Sequence, residues 1–282
     1  EVSPLITEYG NDIILNEALF SRVKEVYEKR HQFNLSQEEM RLTELTYRNF
    51  ARNGANLKEE GRERFRQIGM ELSKLSLKFG QNLLASTNDF KLHIEDKADL
   101  EGLPPFLIVA GAEAAKELSK EGWIFTLQMP SFGPFMQYSA KRELREKMWR
   151  AHGSKSLYDE WDNSATVKEI VKLRLERAHL LGYESHAHYV LEENMAKSPR
   201  EVEKFLNDLL DKTLPYAKKE VAEIVKFAEE SGFKEPFMPW DFSYWSEKYK
   251  SEKYAFNDQM LKPYFQLERV EGAVLTLANR LF

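Results

Sequence analysis

Apolar residues recur at three- and four-residue spacing along most of this chain, and that period predicts helices. Leu15, Leu19, Val23, Val26 and Tyr27 share one face over about residues 15–31. Ser36, with Glu39 three residues on, predicts a capping box opening a helix of about 37–53, and Gly54 suits the left-handed residue that ends it. Phe65, Ile68, Leu72, Leu75 and Phe79 alternate spacings of 3 and 4 over about 57–87, a narrow seam suited to long antiparallel helices. Gly69 and Gly80 weaken that helix in isolation by about 1 kcal/mol each, so tertiary packing has to hold it.

The period then changes. Phe90, Leu92 and Ile94 alternate with Lys91, His93 and Glu95, and Phe125, Leu127 and Met129 alternate with Ile124, Thr126 and Gln128, predicting two half-buried strands. Between them Pro104-Pro105 opens a short helix through about Leu118. Two strands alone are marginal, so this sheet must lean on helices or recruit further strands. Pro130 to Phe135 reads as a tight aromatic loop, followed by a helix of about 134–152.

The remainder is nearly all helical. Asn163 or Thr166 caps a helix through Leu181, ended by Gly182, and a short helix spans about 185–195. Ser198-Pro199-Arg200-Glu201 starts another that ends near Gly232, which Pro215 should kink. A helix of about 241–250 and a last one near the C-terminus complete the series. The predicted fold is mainly α, one helical domain with a small β insertion at about residues 90–129. Its sub-regions are a helical hairpin layer (1–88), the β/α insertion (89–130) and a helical remainder (131–282).

Composition narrows the class. The 282 residues carry 41 Lys plus Arg against 46 Asp plus Glu, a formal net charge of −5, and no cysteine. That excludes a disulfide framework, thiolate metal sites and a cysteine nucleophile. Basic residues alternate with glutamates, as in Arg142-Glu143-Leu144-Arg145-Glu146-Lys147, so they read as solvated helix faces and nucleic acid is not an expected partner. No apolar run reaches the roughly 20 residues of a membrane span, so no membrane partner is expected. The chain begins Glu1-Val2-Ser3-Pro4 without Met and stops at Phe282 on an apolar helical face. Both ends read as cuts, and the expectation is a piece of a longer protein.

Candidate chemistry is sparse. None of the six histidines lies in HExxH, and His186 and His188 are too close in sequence to face one ion from a helix. Glu184, His188 and Glu192 share a face at four-residue spacing, a carboxylate and imidazole set able to hold a metal or to move protons. The same spacing also reads as polar pairs on a surface helix. No G-x-S-x-G or phosphate-binding glycine loop occurs. Phe132 in the aromatic loop, and Trp240, Asp241 and Tyr244 in Trp240-Asp241-Phe242-Ser243-Tyr244-Trp245, are candidates for the wall of a peptide groove. Alternatively Asp241 is an N-cap and the rings belong to the core.

Several segments, in order, resemble the zinc oligopeptidases of the thimet oligopeptidase and neurolysin family. They include Leu19-Phe20-Ser21-Arg22-Val23, Gly54-Ala55-Asn56-Leu57, Glu101-Gly102-Leu103-Pro104 and Arg142-Glu143-Leu144-Arg145-Glu146-Lys147. Further on come Leu180-Leu181-Gly182-Tyr183, Met195-Ala196-Lys197-Ser198-Pro199, Pro239-Trp240-Asp241 and Leu261-Lys262-Pro263-Tyr264-Phe265. The last of these, with Ala278-Asn279-Arg280-Leu281-Phe282, most closely resembles the bacterial peptidyl-dipeptidase branch.

The resemblance implies a zinc metallopeptidase, a hydrolase of short peptides that releases dipeptides from their C-termini. It also implies that this segment is the neurolysin-like helical half forming one wall of a deep channel. No position here matches the family's HExxH helix or its later glutamate ligand. The expectation is therefore that Zn²⁺ and the catalytic residues belong to the remaining C-terminal half of the same chain, and that this segment alone binds no metal and is inert. A helical binding or scaffold protein of the same ancestry is the alternative. The cytoplasm is the expected compartment, or the periplasm if a leader precedes Glu1.

Overall fold

A computed structural model describes residues 2–255 and 258–282. Among them the chain forms α1 (Val2–Ile14), α2 (Glu17–Lys29), α3 (Gln37–Arg52), α4 (Glu59–Asp89), β1 (Leu92–Ile94), α5 (Pro105–Glu117) and β2 (Trp123–Phe125). There follow α6 (Met129–Tyr138), α7 (Arg142–Gly153), α8 (Ser164–Leu180), α9 (His186–Leu191), α10 (Pro199–Glu230), α11 (Pro239–Tyr254) and α12 (Leu267–Leu281). The expected mainly α architecture with a small β insertion is what forms. The chain divides into two compact units, residues 1–86 with 155–211 and residues 87–154 with 212–282.

In the first unit, several predicted local signals are present as atoms. The Glu39 N–H donates to Ser36 Oγ at 3.3 Å and the Ser36 N–H to Glu39 Oε2 at 2.8 Å, closing the capping box. Gly54 adopts φ +92° after α3. Phe20, Phe50 and Ala55 form one buried cluster, with Tyr27 and Tyr47 stacked at 4.0 Å beside it. The seam of α4 finds its partner in α8, where Ile68 and Leu72 bury against Leu173. Asn163 precedes α8 but makes no side-chain capping bond. Its amide instead donates to the Phe79 carbonyl at 3.1 Å and its oxygen accepts from Asn82 at 3.0 Å, tying α8 to α4.

In the second unit the strands are shorter than their alternation suggests, three residues each, paired antiparallel with Leu92 opposite Phe125 and Ile94 opposite Trp123. Gly122, at φ +83°, permits the pairing, because a Cβ there would lie 2.3 Å from the Ile94 carbonyl oxygen. The sheet recruits no further strand among the described residues and leans on helices. Phe125 packs on Phe135 with ring centroids 4.9 Å apart, within a cluster that also buries Ile94, Leu107, Met148 and Trp240.

Several expectations are corrected. The aromatic stretch at 130–135 is not a loop but lies inside α6. Pro130 occupies the first turn, where its missing N–H is no loss, and burial of Phe135 and Met136 offsets the bond forfeited at Pro134. The helix expected at about 134–152 is two helices, parted at Ser139–Lys141. α1 precedes the first predicted helix, and α9 is six residues rather than eleven. The helix expected from Ser198-Pro199 to near Gly232 forms as α10, one element of 32 residues with Pro215 inside it. No helix among the described residues is long and apolar enough to cross a membrane.

Candidate functional site

Three of the four sequence candidates of the second unit, Trp240, Asp241 and Tyr244, lie in the first turns of α11. Met238 precedes the helix and Pro239 opens it, so Asp241 stands at the third helical position and not at the N-cap. Its carboxylate accepts the Met238 backbone N–H at 3.0 Å. Two arginines of α7 complete its shell. Arg142 donates from Nε at 3.0 Å and from Nη2 at 2.9 Å, and Arg145 donates from Nη2 at 2.9 Å. Arg145 also donates to the carbonyls of Trp240, at 3.1 Å, and Ser139, at 2.8 Å. Arg142 reaches Glu235 and the Pro236 carbonyl.

Asp241 is 0% exposed and Arg145 2%. Enclosed charges persist only when paired and hydrogen-bonded, and every strong acceptor direction of Asp241 is taken. Burial pulls the Arg145 guanidinium below its ordinary value, with the Asp241 hydrogen bond opposing, whereas at the more accessible Arg142 the bond to Asp241 dominates and raises it. Rings close the cluster: the Arg145 guanidinium lies 4.2 Å from the Tyr244 centroid and that of Arg150 lies 4.9 Å from Trp240. The reading of 142–147 as a solvated face is thus corrected, since Arg142 and Arg145 turn inward. Their i,i+3 spacing around buried Leu144 was the available signal.

The four wall candidates take different places. Trp240 sits in the core and Asp241 beneath it, Phe132 stacks on His152 at 4.1 Å, and Tyr244 lines a groove of about 840 Å³. That groove lies between the Glu101-Gly102 turn, the end of α6, the end of α10 and α11. Sequence reasoning missed its other walls, Tyr138, Trp245 and Glu247 among them, because they come from four separate segments. Trp245 alone stood in the aromatic run that drew attention.

The candidate metal set in the first unit is not assembled. α9 begins at His186, capped by Ser185, so Glu184 precedes the helix and Glu192 is its C-cap. His188 Nδ1 lies 2.9 Å from Ser185 Oγ, and its Nε2 is 3.6 Å from Glu184. Glu192 is drawn away by Arg52 and by the Tyr183 hydroxyl at 2.5 Å. Arg52 is itself nearly buried, against the Tyr189 ring at 4.5 Å, which fixes the direction of the pull. Among the described residues no group of three or more His, Cys, Asp or Glu is placed to hold an ion, so the residues present do not fit a zinc site.

Comparison with known proteins supplies the family. Residues 135–282 match Peptidase family M3, and the chain belongs to that family of metallopeptidases. It is similar along 99% of its length to oligopeptidase A of Salmonella typhimurium, at 32% identity over 42% of that protein. The probable cytosolic oligopeptidase A of Arabidopsis thaliana is 33% identical over all of this chain and 41% of its own, and dipeptidyl carboxypeptidase of Salmonella typhimurium is 33% identical over 97% and 41%. The chain thus spans about two fifths of the curated relatives it matches. Identities to oligopeptidases A, 31–35%, and to dipeptidyl carboxypeptidases, 31–33%, overlap, so identity does not separate the branches as the Leu-Lys-Pro-Tyr-Phe run suggested.

Proposed function

We propose that this chain is the helical, non-catalytic portion of a zinc-dependent oligopeptidase or peptidyl-dipeptidase, one wall of the channel through which short peptides reach the metal. The observation that carries the reading is the alignment: it runs through essentially the whole chain yet occupies only 42% of oligopeptidase A. Zn²⁺ and the groups that activate water belong, on this reading, to the remaining C-terminal part of the same chain. That part is also the partner that would cover the exposed apolar residues of α12, such as Val274 and Leu277, which are 61% and 58% exposed. The peptidyl-dipeptidase activity would remove dipeptides from peptide C-termini, and the cytoplasm is the proposed compartment. Within this chain Tyr244 is the proposed wall residue. Asp241 and Trp240 serve it from beneath, by holding the first turn of α11 against α7, and Phe132 serves by its stack on His152.

The test compares the 282-residue chain with one extended by the residues encoded after Phe282, each incubated with Zn²⁺ and an N-blocked tripeptide bearing a free C-terminus. Release of a dipeptide by the extended chain alone is expected. Zinc-dependent turnover by the 282-residue chain, or the lack of an HExxH in the extension, would overturn the proposal.

A further inference from the structure

The first unit carries two guanidinium groups without a counter-charge among the described residues. Arg174 and Arg177 stand three residues apart on one face of α8, and Gly182, at φ +84°, turns the chain so that α9 packs back beside that helix. The Arg177 guanidinium lies 5.6 Å from the Tyr189 ring centroid, and the His186 ring lies 6.2 Å from the same ring. Arg177 is half-buried, yet neither it nor the exposed Arg174 meets a carboxylate among the described residues. Arg52, Arg64 and Arg145 differ, since Glu192, Glu176 and Asp241 hold their charges. The acidic residues of α8 and of the turns that follow α8 and α9 are committed elsewhere: Glu169 to Lys172 at 3.4 Å, Glu176 to Arg64 at 2.5 Å, Glu184 to His188 at 3.6 Å, and Glu192 and Glu193 to Arg52.

The cations are also held in place. Arg177 Nε is enclosed, whereas its two Nη groups are not and make no hydrogen bond, so the edge they form faces solvent. That edge is a part of the guanidinium able to grip two oxygens of one anion. Its backing is fixed: the Tyr189 hydroxyl donates to the Arg52 carbonyl at 3.4 Å, Tyr183 meets the Tyr189 ring edge-on at 5.3 Å, and the Arg52 guanidinium lies 4.5 Å from that ring. A cation held against such a plate loses little freedom when it binds. Burial pulls the Arg177 guanidinium below its ordinary value, with Tyr189 opposing and Arg174 adding to the pull. Burial and the same two arginines hold His186 below the ordinary imidazole value, so it adds no charge of its own near neutrality. An anion bound by both arginines offsets that repulsion.

We propose that Arg177 and Arg174 form a binding site for a phosphate dianion, free or carried as the phosphoryl group of a small ester, with the Nη edge of Arg177 donating to two phosphate oxygens and Arg174, one turn back on α8, supplying the second charge. Two uncompensated charges match a dianion better than they match a single carboxylate, and guanidinium forks suit phosphate oxygens. The site belongs to the first unit, uses none of the residues proposed for the peptide wall, and goes beyond the peptidase reading without resting on it.

The probes are inorganic phosphate, methyl phosphate and acetate, each titrated into the 282-residue chain at about pH 8 and constant ionic strength, conditions that keep phosphate a dianion and hold screening fixed. The readout is the NMR signal of the His186 ring, assigned with His186→Gln. Both phosphates are expected to shift it with half-saturation at about 1–5 mM, and acetate only at about ten times that concentration or more. Tighter binding of methyl phosphate would assign the site to esters, and tighter binding of inorganic phosphate to the free ion. Arg177→Gln should weaken phosphate binding about tenfold or more, and Arg174→Gln, at an exposed position whose loss spares the fold, about three- to fivefold. Lys172→Gln, which removes another exposed cation of α8, should leave the midpoint within about 1.5-fold. Acetate as effective as phosphate would overturn the dianion assignment. No saturable shift, a midpoint unmoved by both arginine variants, or a loss with Lys172→Gln as large as with Arg174→Gln would overturn the site, whereas the peptidase reading stands or falls on the cleavage assay with the extended chain.

Discussion

Helices α11 and α12 follow each other in the chain, and the one with the plainer helical pattern is the one that stays exposed. Val270, Val274, Leu277 and Leu281 repeat at three- and four-residue spacing along α12, yet none of its residues is buried. α11 mixes rings and charges on all sides, and Trp240, Asp241, Tyr244, Trp245 and Glu247 are buried along it. The contrast separates two properties that periodicity runs together. A regular apolar stripe shows which face seeks cover; whether cover arrives depends on what other elements reach that face. α11 is met by α7 through Arg142 and Arg145 and by the end of α10 through Ile224 and Ala228. No comparable partner meets α12 among the described residues.

The sharpest way to break this contrast is to remove the charge that fixes α11. Asp241→Ala leaves Arg145 enclosed without a counter-charge, and a loss of about 3–5 kcal/mol in urea unfolding is expected. A loss under about 1 kcal/mol would mean that the rings alone hold α11. Next in size is Met148→Ala, which empties a fully buried position in the same core and should cost about 2 kcal/mol or more by the same measurement.

A smaller effect is expected where an ion pair is open to water. Glu176 accepts from Arg64 Nε at 2.5 Å and Nη2 at 2.8 Å in the first unit, and that hydrogen bond holds its carboxyl below the ordinary glutamate value. A carboxyl lowered in the folded state contributes stability that is complete above its unfolded value near 4.5 and is lost as pH falls through the folded value. Glu176→Gln should therefore lower stability at neutral pH by no more than about 1 kcal/mol, because the pair is partly open to water, and converge with the parent as pH falls, flattening the decline of the melting temperature below about pH 4.5. The smallest effect belongs to α12. Leu277→Ser should change stability by no more than about 0.5 kcal/mol, because the side chain has little cover to lose. Sedimentation of the same variant should show less self-association than the parent chain, since an exposed apolar stripe is what two copies would share.

The local signals of helices were legible: the Ser36 and Glu39 box, the Gly54 and Gly182 stops, the Ser198-Pro199 start and the α4 seam each depend on residues within a turn or two. Pro130 to Phe135 misled because two prolines and a glycine carry loop propensity, whereas packing of Phe135 and Met136 decides for helix. Of the two readings open for Glu184, His188 and Glu192, the polar pair is the one that forms, between Glu184 and His188, and the metal set fails for a related reason. Their spacing assumes an unbroken helix, and Arg52, 140 positions away from Glu192, takes the third member. The groove was the least legible feature, since Glu101, Tyr138 and Tyr244, which line it, have no spacing in common.

The sequence by itself determined that this protein is helical, where most of its helices start and stop, that a small β insertion interrupts them, and, through motifs preserved in order, which peptidase family it belongs to. These follow from capping chemistry, side-chain period and inherited sequence, which act along the chain. Only the tertiary structure decided that Arg145 and Asp241 are enclosed, that the suspected metal set stays apart, that α12 lies bare, and that rings and carboxylates from four segments share one groove. Burial and pairing are set by residues distant in sequence, and the energy of a charge or a ring depends on what that folding brings beside it.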